Sequence, residues 1–327
     1  MTVSSPPRPS ATRSPATPTR SARPDLAGRV FSGLAHGAGV LILVTLAAVA
    51  AFLVIEAWPA LTASSAELQE ISWFRAGSLL EYVGPLVFGT VLAALLALLM
   101  AVPVAVGIAL FISHYAPRRL AQGLGYLVDL LAAIPSVVFG LWGALWLTPI
   151  LDPFFTWLSS SLGFVPLFEG YQAPAKNVLT AGVVLAVMIL PIITAVSREV
   201  FLQTPVLHEE ASLALGATRW EMIRMAVLPF GRSGVVSASM LGLGRALGET
   251  MAVLMVISPG FLYSFFLLKP GQHQTIAANI ASQFPEASGL AVSVLIATGL
   301  ALFVITFAVN FAARAIVARR KEFSGAN

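Results

Sequence analysis

The sequence of 327 residues contains no cysteine and very few charged side chains. The absence of cysteine excludes disulfide bonds, thiolate metal sites and iron–sulfur clusters. The four histidines lie far apart, so we interpret them as surface or interfacial side chains and expect neither a metal nor a cofactor (His36, His114, His208 and His273). Only 10% of the residues are charged, whereas soluble domains carry roughly a quarter. With 57% hydrophobic residues and a mean hydropathy of +0.87, the chain is predicted to be an all-α membrane protein.

Six apolar stretches are each long enough for the roughly 20 residues that a transmembrane helix requires. Helices are expected because the hydrocarbon core offers no water to backbone polar groups. We place the six transmembrane helices at about 36–58, 85–113, 124–150, 177–197, 234–258 and 288–313. The first stretch is too long for the core of a cleaved signal peptide, so it is predicted to remain as a membrane helix.

Tails are predicted at both ends of a permease-sized domain that covers residues 34–320. Residues 1–33 are expected to be a disordered N-terminal tail, because their first 24 residues are mainly Ser, Thr, Pro, Ala and Arg and bury almost nothing. Residues 321–327 form a short C-terminal tail. Residues 151–176, rich in Phe, Trp and Pro, are predicted to be an outside loop that lies on the membrane surface.

Basic residues flank the six stretches unevenly. Arginines precede the first stretch, follow the second, lie between the fourth and fifth, and follow the last, whereas the intervening loops carry only Arg75, Lys176 and Lys269. Because Lys and Arg accumulate on the cytoplasmic side of a membrane, both termini and the segment 198–232 are predicted to be cytoplasmic.

The segment 198–232 is too long for a simple turn between two membrane helices. Glu209 and Glu210 begin a short predicted helix, and acidic residues in a first turn interact favourably with the helix dipole. Gly216 is placed to end that helix in a left-handed conformation. An apolar face over residues 220–227 marks a second helix, which Pro229 is expected to help end.

This segment resembles the EAA loop of ABC-transporter permeases, the element that docks onto the ATPase subunit. The resemblance rests on the spacing of Glu210-Ala211, Gly216 and Leu228-Pro229. The loop departs from the common pattern at Ser212, where a second alanine is usual, and the substitution is small. The resemblance assigns ATPase coupling to Glu210, Ala211, Ser212 and Gly216. An amphipathic loop resting on the membrane is the alternative.

A second stretch is more specific. The run LGLGRALGETMAV at 241–253 resembles the phosphate permeases of the PstC type, and so does the run AIPSVVFG at 133–140. The segment TIAANI at 275–280 also resembles this family, and there it is expected to form a short helix facing the protein that delivers substrate.

Arg245 and Glu249 interrupt an apolar run, and their spacing of four predicts that they share one helical face. A charge in the membrane is costly, so such residues are expected to face a partner or a water-filled path. A planar guanidinium matches an oxyanion in a bidentate fork. Glu249 would neutralise Arg245 between transport events or accept a hydrogen bond from protonated phosphate. The alternative is an ion pair kept for packing; the residues alone leave both open, and the resemblance favours the substrate pathway.

The resemblance covers about residues 36–320 and implies the type I ABC importer permease fold in the cell membrane. It implies a permease subunit of a phosphate importer, with a second permease of the PstA type, two ATPases of the PstB type and an external phosphate-binding protein of the PstS type as partners. ATP hydrolysis is expected in a partner and no enzyme activity in this chain, because none of its three lysines follows a glycine as a P-loop requires.

Two other functions stay open at this point. The chain could be a permease for another oxyanion, such as sulfate or molybdate, because one arginine does not distinguish tetrahedral anions. An ion-driven secondary transporter would need carboxylates for the coupling ion and often shows repeated halves. The sequence offers one convincing buried acid, Glu249, and no evident repeat, which disfavours that class.

Overall fold

The computed structural model describes residues 26–321, and these residues form helices and connecting segments without any strand. The chain divides into two units, Met1–Ala51 and Phe52–Asn327. The α-helices are α1 (Leu26–Thr62), α2 (Ser65–Gln69), α3 (Leu79–Leu110), α4 (Arg118–Ala132), α5 (Ser136–Trp142), α6 (Thr148–Leu162), α7 (Val178–Leu202), α8 (Val206–Ala214), α9 (Arg219–Met222), α10 (Leu228–Leu247), α11 (Met251–Val256), α12 (Ile276–Gln283) and α13 (Leu290–Lys321).

Six helical segments of the described chain are long and apolar enough to cross a membrane, which confirms the predicted number. They are Val30–Thr62, Leu79–Tyr115, Ser136–Leu162, Val178–Leu202, Arg219–Leu247 and Leu290–Ala315. Three of them contain a π-helical turn. The turn at Phe111–Tyr115 extends α3, and the turns at Gly143–Leu147 and Ile223–Val227 join two α-helices. A π turn widens the helix by one residue and keeps the chain helical through it.

The first helix begins earlier than predicted. It starts at Leu26, ten residues before the expected start near residue 36. Residues 26–33, assigned above to the disordered tail, are therefore helical, while residues 1–25 of that tail lie outside the described residues. The apolar run of the first span supplies a template onto which the preceding residues add further helical turns, since propagation of a helix is easier than its nucleation.

The third span lies further along the chain than the predicted range 124–150. Residues 118–132 form the separate helix α4, which ends at Ala132, three residues before Pro135. Proline lacks an N–H and disfavours helical geometry in the residue before it, so the chain turns there and restarts as α5. The span continues through α6 to Leu162, which makes the first half of the predicted outside loop 151–176 helical.

The fifth span also differs from the prediction of 234–258. The helix starts already at Arg219, runs through the π turn at 223–227, and stops at Leu247. Pro229 does not end it, because the widened turn before Pro229 accommodates a residue without an N–H. The non-membrane segment is thus shorter than 198–232: it lies between the end of α7 at Leu202 and Arg219 and contains α8.

The packed centre of the second unit is made of small side chains. Alanines of α3 at 93, 94, 97, 101 and 105 are at most 1% exposed and pack with the buried face of α7. Small residues let two membrane helices approach closely and gain dispersion contacts along their backbones. The helices α10 and α11 pack against this α3–α7 pair, so residues near the end of α10 are held by a dense support.

Candidate functional site

Arg245 lies near the end of α10 and lines a cavity of about 870 Å³. The walls of the cavity come from α7, α10 and α13, and Gly244 beside Arg245 is part of them. The guanidinium Nε is buried and has no hydrogen-bond partner among the described residues. A buried donor without a partner costs free energy unless water or a ligand accepts its hydrogen bond. The position of Arg245 therefore suits a group that meets an anion inside the cavity.

Glu249 does not share a helical face with Arg245, and that prediction is wrong. The helix α10 ends at Leu247, and Gly248 adopts φ −92° and ψ 2°, so Glu249 falls in the break before α11. Its side chain is buried, and Oε1 accepts a hydrogen bond of 3.0 Å from the N–H of Ala252. Among the described residues neither Arg245 nor Glu249 takes part in an ion pair. Glu249 thus has a partner of its own in the first turn of α11, whose free N–H groups it helps to satisfy.

The glycines around Arg245 have different roles. A Cβ on Gly242 would lie 2.8 Å from Cδ1 of Ile193, so this glycine allows α10 to pack closely against α7. A Cβ on Gly244 would meet no atom within 4 Å, and Gly244 instead lines the cavity. Gly242 therefore serves helix packing, whereas Gly244 leaves the cavity wall open.

Gly140, which ends the run at 133–140, supports the helix that Glu249 caps. A Cβ on Gly140 would lie 2.8 Å from the Cα of Ala252 and 2.9 Å from Sδ of Met255. Cβ atoms in proteins do not approach a backbone carbon this closely, so only glycine fits between α5 and α11. The run that suggested the family by its sequence therefore fixes the position of Ala252, and through it the carboxylate of Glu249.

We expect Gly140→Ala to destabilise the protein by about 1–3 kcal/mol, the usual cost of overpacking. The midpoint of thermal unfolding in detergent should fall by several degrees, since about 1 kcal/mol corresponds to roughly 2–4 °C in a chain of this size. Gly107→Ala is the matched control, because Gly107 is also helical and a Cβ there would meet no atom within 4 Å. Equal midpoints for the two variants would contradict the close contact between α5 and α11.

The segment between α7 and α9 has the geometry expected of its sequence. Gly216 follows the C-terminus of α8 with φ +87°, which confirms the predicted left-handed conformation. Glu210 is exposed, and Leu215 at the tip of the segment is 90% exposed. Thr218 then caps α9 in a reciprocal capping box with Glu221. The segment presents a short helix and a tight turn of defined shape, with an apolar side chain at its tip.

Ser212 stabilises α8 from within, because its Oγ donates a hydrogen bond of 2.8 Å to the carbonyl of Glu209. Glu209 in turn contacts His114 in the π-helical turn that follows α3, with 3.4 Å between Oε1 and Nε2. The side chain of His114 is only 8% exposed. Sequence reasoning missed this contact between α8 and the membrane helices, since 95 residues separate the two partners and neither forms part of a local pattern.

His273 is buried, so the interpretation of the histidines as surface or interfacial groups is wrong for this residue. It is 2% exposed, and its Nε2 lies 2.6 Å from the carbonyl oxygen of Ser264. Burial lowers the pKa of His273, because the charged imidazolium loses water, while the hydrogen bond to Ser264 raises it by a smaller amount. His273 therefore serves as a neutral hydrogen-bond donor that holds the segment between α11 and α12.

The segment at 275–280 forms the predicted short helix, but its first turn is buried rather than facing outward. The N–H of Ile276 donates to Oγ1 of Thr90 at 2.9 Å, and Thr275 caps α12 through the N–H of Ala278. Asn279 is fully buried and exchanges hydrogen bonds with the hydroxyl of Tyr82. Asn279 and the first turn of α12 thus anchor this helix to α3, which explains why they do not face the exterior.

Comparison with known proteins adds the family to this geometry. The sequence profile described as "Binding-protein-dependent transport system inner membrane component" matches residues 101–322. The chain is 48% identical over 295 residues to the phosphate transport system permease protein PstC 2 of Mycobacterium tuberculosis, covering 88% of this chain and 91% of that protein. It is 46% identical over 274 residues to PstC of Mycobacterium leprae, covering 82% and 86%. It is 38% identical over 308 residues to PstC of Mesorhizobium japonicum, covering 92% and 93%.

The fold is also found among solved structures. A chain of the MetNI methionine ABC transporter, solved in an inward-facing conformation, superposes with a TM-score of 0.52 and 18% sequence identity. The match covers 74% of this chain and 95% of the MetNI chain, so the two share the permease fold. With its six membrane-crossing helices the protein is a multi-pass protein of the inner membrane. The chain belongs to the family of binding-protein-dependent transport system inner membrane components, and within that family to the phosphate transport permeases of the PstC type.

Proposed function

We propose that this chain forms half of the translocation pathway of an ATP-driven importer of inorganic phosphate and couples that pathway to a separate ATPase. The observation that carries the proposal is the unpaired guanidinium of Arg245 on the wall of a cavity between membrane helices. The names of the relatives at 38–48% identity support phosphate as the substrate.

Arg245 provides the charge that an oxyanion needs inside the membrane. Phosphate loses much of its hydration when it enters a narrow path, and two parallel N–H donors of a guanidinium replace part of it in bidentate geometry. The cavity is a passage rather than a storage site, because conduction requires binding that is weak enough for release. The high-affinity step is assigned to the external binding protein.

Glu249 is proposed as the second group of the substrate pathway. Its Oε1 is taken by the N–H of Ala252, and its Oε2 makes no hydrogen bond within the described residues. That second oxygen accepts a hydrogen bond from a protonated phosphate oxygen, and it offsets the charge of Arg245 when no substrate is present. Because the capping contact orients the carboxylate, Glu249 acts from a fixed position.

Glu210, Ala211, Ser212 and Gly216 are proposed to form the surface that docks onto the ATPase. The tight turn at Gly216 presents the exposed Leu215, an apolar side chain that a groove in a partner can bury. The contact between Glu209 and His114 ties the docking helix to α3. The proposed partners are the second permease of the PstA type, two ATPases of the PstB type and the phosphate-binding protein of the PstS type.

The assembled complex, reconstituted in vesicles with its binding protein, provides the test. We expect phosphate to stimulate ATP hydrolysis and ATP to drive uptake of phosphate, while sulfate and molybdate do neither. Uptake that follows an ion gradient and ignores ATP would contradict the proposed class of transporter. ATP-dependent uptake of sulfate or molybdate in place of phosphate would contradict the proposed substrate.

The proposed topology places both termini in the cytoplasm. A reporter fused after Arg119, between α7 and α9, or at Asn327 is expected to be cytoplasmic, because the basic residues gather on that side. A reporter fused near Gly170 or Gln272 is expected to be external. Activity of paired reporters, one active only inside and one only outside, measures each position. An external reporter between α7 and α9 would contradict both the topology and the docking role.

A further inference from the structure

Three polar side chains besides Arg245 line the same cavity, although the helices that carry them are largely apolar there. Ser237 lies on α10, eight residues before Arg245, and Asn310 and Arg314 lie one turn apart on one face of α13. Every one of these groups can donate a hydrogen bond. No acidic side chain lines the cavity within the described residues, since Glu249 lies beyond α10 and outside this lining. The polar part of the wall is therefore selective for an anion.

The directions of α10 and α13 imply an order of the four groups along the membrane normal. The spans that contain α10 and α13 follow each other in the chain, so they cross the membrane in opposite directions. Arg245 lies near the end of α10, whereas Asn310 and Arg314 lie near the end of the membrane-crossing part of α13. Ser237, about 12 Å before Arg245 at 1.5 Å per residue, lies on the Arg314 side. The groups thus run from Arg245 through the cavity towards the side where α13 leaves the membrane.

A second cation along this path addresses a specific physical difficulty. An anion bound to Arg245 alone would have to leave its counter-charge before it reaches water, and that step is slow in a low dielectric. A pathway with more than one weak binding position avoids such a trap. Arg314, which lines the cavity near the end of the membrane-crossing part of α13, attracts the departing anion, and Asn310 and Ser237 provide neutral donors along the path.

We propose that Arg314, Asn310 and Ser237 form a second anion-binding position, which receives the oxyanion from Arg245 and releases it at the end of α13. This inference rests on the proposed function, since it takes the same tetrahedral oxyanion as the substrate. It assigns the release step to residues outside the runs that identify the family. Two of them, Asn310 and Arg314, lie on α13, whose sequence shows only the features of a membrane span.

The first test uses the absence of cysteine from the chain, which gives single-cysteine variants a clean background. In the reconstituted complex, Ser237→Cys and Asn310→Cys should react with the anionic reagent 2-sulfonatoethyl methanethiosulfonate, and millimolar inorganic phosphate should slow both reactions. Ser233→Cys is the control, an exposed position one turn earlier on α10 that does not line the cavity. It should react equally well with and without phosphate. Labelling is measured as the mass gain of this chain.

The second test follows transport. Arg314→Gln should lower the maximal rate of phosphate uptake by about tenfold, the effect of one lost charge-assisted hydrogen bond. The phosphate concentration at half-maximal rate should stay unchanged, because delivery to Arg245 is not altered. Arg314→Lys should retain most of the rate, since a point charge suffices for attraction. Arg119→Gln, an exposed arginine outside the cavity, should transport like the unchanged protein.

The outcomes separate this inference from the proposed function. Unchanged uptake in Arg314→Gln, together with no phosphate protection of Ser237→Cys, would overturn the second position while leaving Arg245 as the pathway residue. Unchanged uptake in Arg245→Ala would exclude Arg245 from the substrate pathway, whereas uptake that ignores ATP would overturn the proposed function itself. A lower rate in Arg314→Gln that Arg314→Lys does not restore would show a packing role and would also overturn the second position.

Discussion

Arg245→Ala is expected to abolish phosphate uptake while the assembled complex continues to hydrolyse ATP. Hydrogen bonds to a charged group contribute about 1.5–3 kcal/mol each, so the loss of a bidentate pair should lower the uptake rate by at least about a hundredfold. Assembly should be preserved, because Arg245 is only half-buried and makes no ion pair within the described residues. Uptake of labelled phosphate and release of phosphate from ATP are measured on the same vesicles.

Two related variants make this experiment specific. Arg245→Lys should restore part of the uptake, since an ammonium group keeps the charge but lacks the planar fork. Arg75→Ala, which removes an exposed arginine outside the cavity, should leave uptake unchanged. Normal uptake by Arg245→Ala would exclude this residue from the substrate pathway.

The double variant Arg245→Met with Glu249→Met distinguishes the pathway from a packing pair. A packing pair would be replaced by two apolar side chains with little loss of function. Because Glu249 instead caps the first turn of α11, its replacement should cost about 0.5–2 kcal/mol of stability and should restore nothing. Full phosphate uptake by the double variant would contradict the assignment of both residues.

Gly216→Val is expected to separate ATP hydrolysis from transport or to prevent recovery of the ATPase with this chain. Gly216 has φ +87°, and a β-branched residue in that region costs about 1–3 kcal/mol. A Cβ there would meet no atom within 4 Å, so the effect comes from the backbone alone. Gly216→Asn should be nearly normal, because asparagine tolerates the left-handed region. Co-purification of the ATPase and the ratio of phosphate transported to ATP hydrolysed are the measurements.

Gly271→Val is the matched control for this strain. Gly271 has φ +69° and equally open surroundings, but it lies in the segment between α11 and α12. Membrane insertion should be preserved in both variants, and only Gly216→Val should affect the ATPase. If Gly271→Val lost the ATPase as readily, or if Gly216→Val transported normally, the turn at Gly216 would not be the coupling element.

The sequence was sufficient for features that depend on local physics. Six apolar runs predicted six spans, because each run must satisfy its own backbone in hydrocarbon. The left-handed Gly216 was predictable from a glycine placed directly after a short helix. The family could be recognised because the residues that carry the resemblance are contiguous in the sequence and can be compared directly with those of other proteins.

Other features depend on contacts between residues that are distant in the sequence, and no local sequence pattern predicts such contacts. The break at Gly248 was missed because the apolar pattern continues through it. The packing of α11 against α5 and α7 stabilises the broken arrangement over one continuous helix. The same break separates Arg245 from Glu249, whose spacing of four suggested a shared face. The cavity residues Asn310 and Arg314 had no signal beyond a basic residue at the end of a span.

The break after α10 has a mechanical consequence. From Arg219 to Leu247 the chain is one helix of 29 residues, about 43 Å long at 1.5 Å per residue, and it begins three residues after Gly216. If the docking turn moves, such a rod would carry the displacement to Arg245, whereas Glu249 lies in the break before α11 and is hydrogen-bonded to Ala252 of that helix. In the proposed complex, the separation of the two opposite charges would then vary with the position of the ATPase. In the proposed complex, the electric field that an anion meets in the cavity would thereby depend on whether ATP holds the docking turn in place.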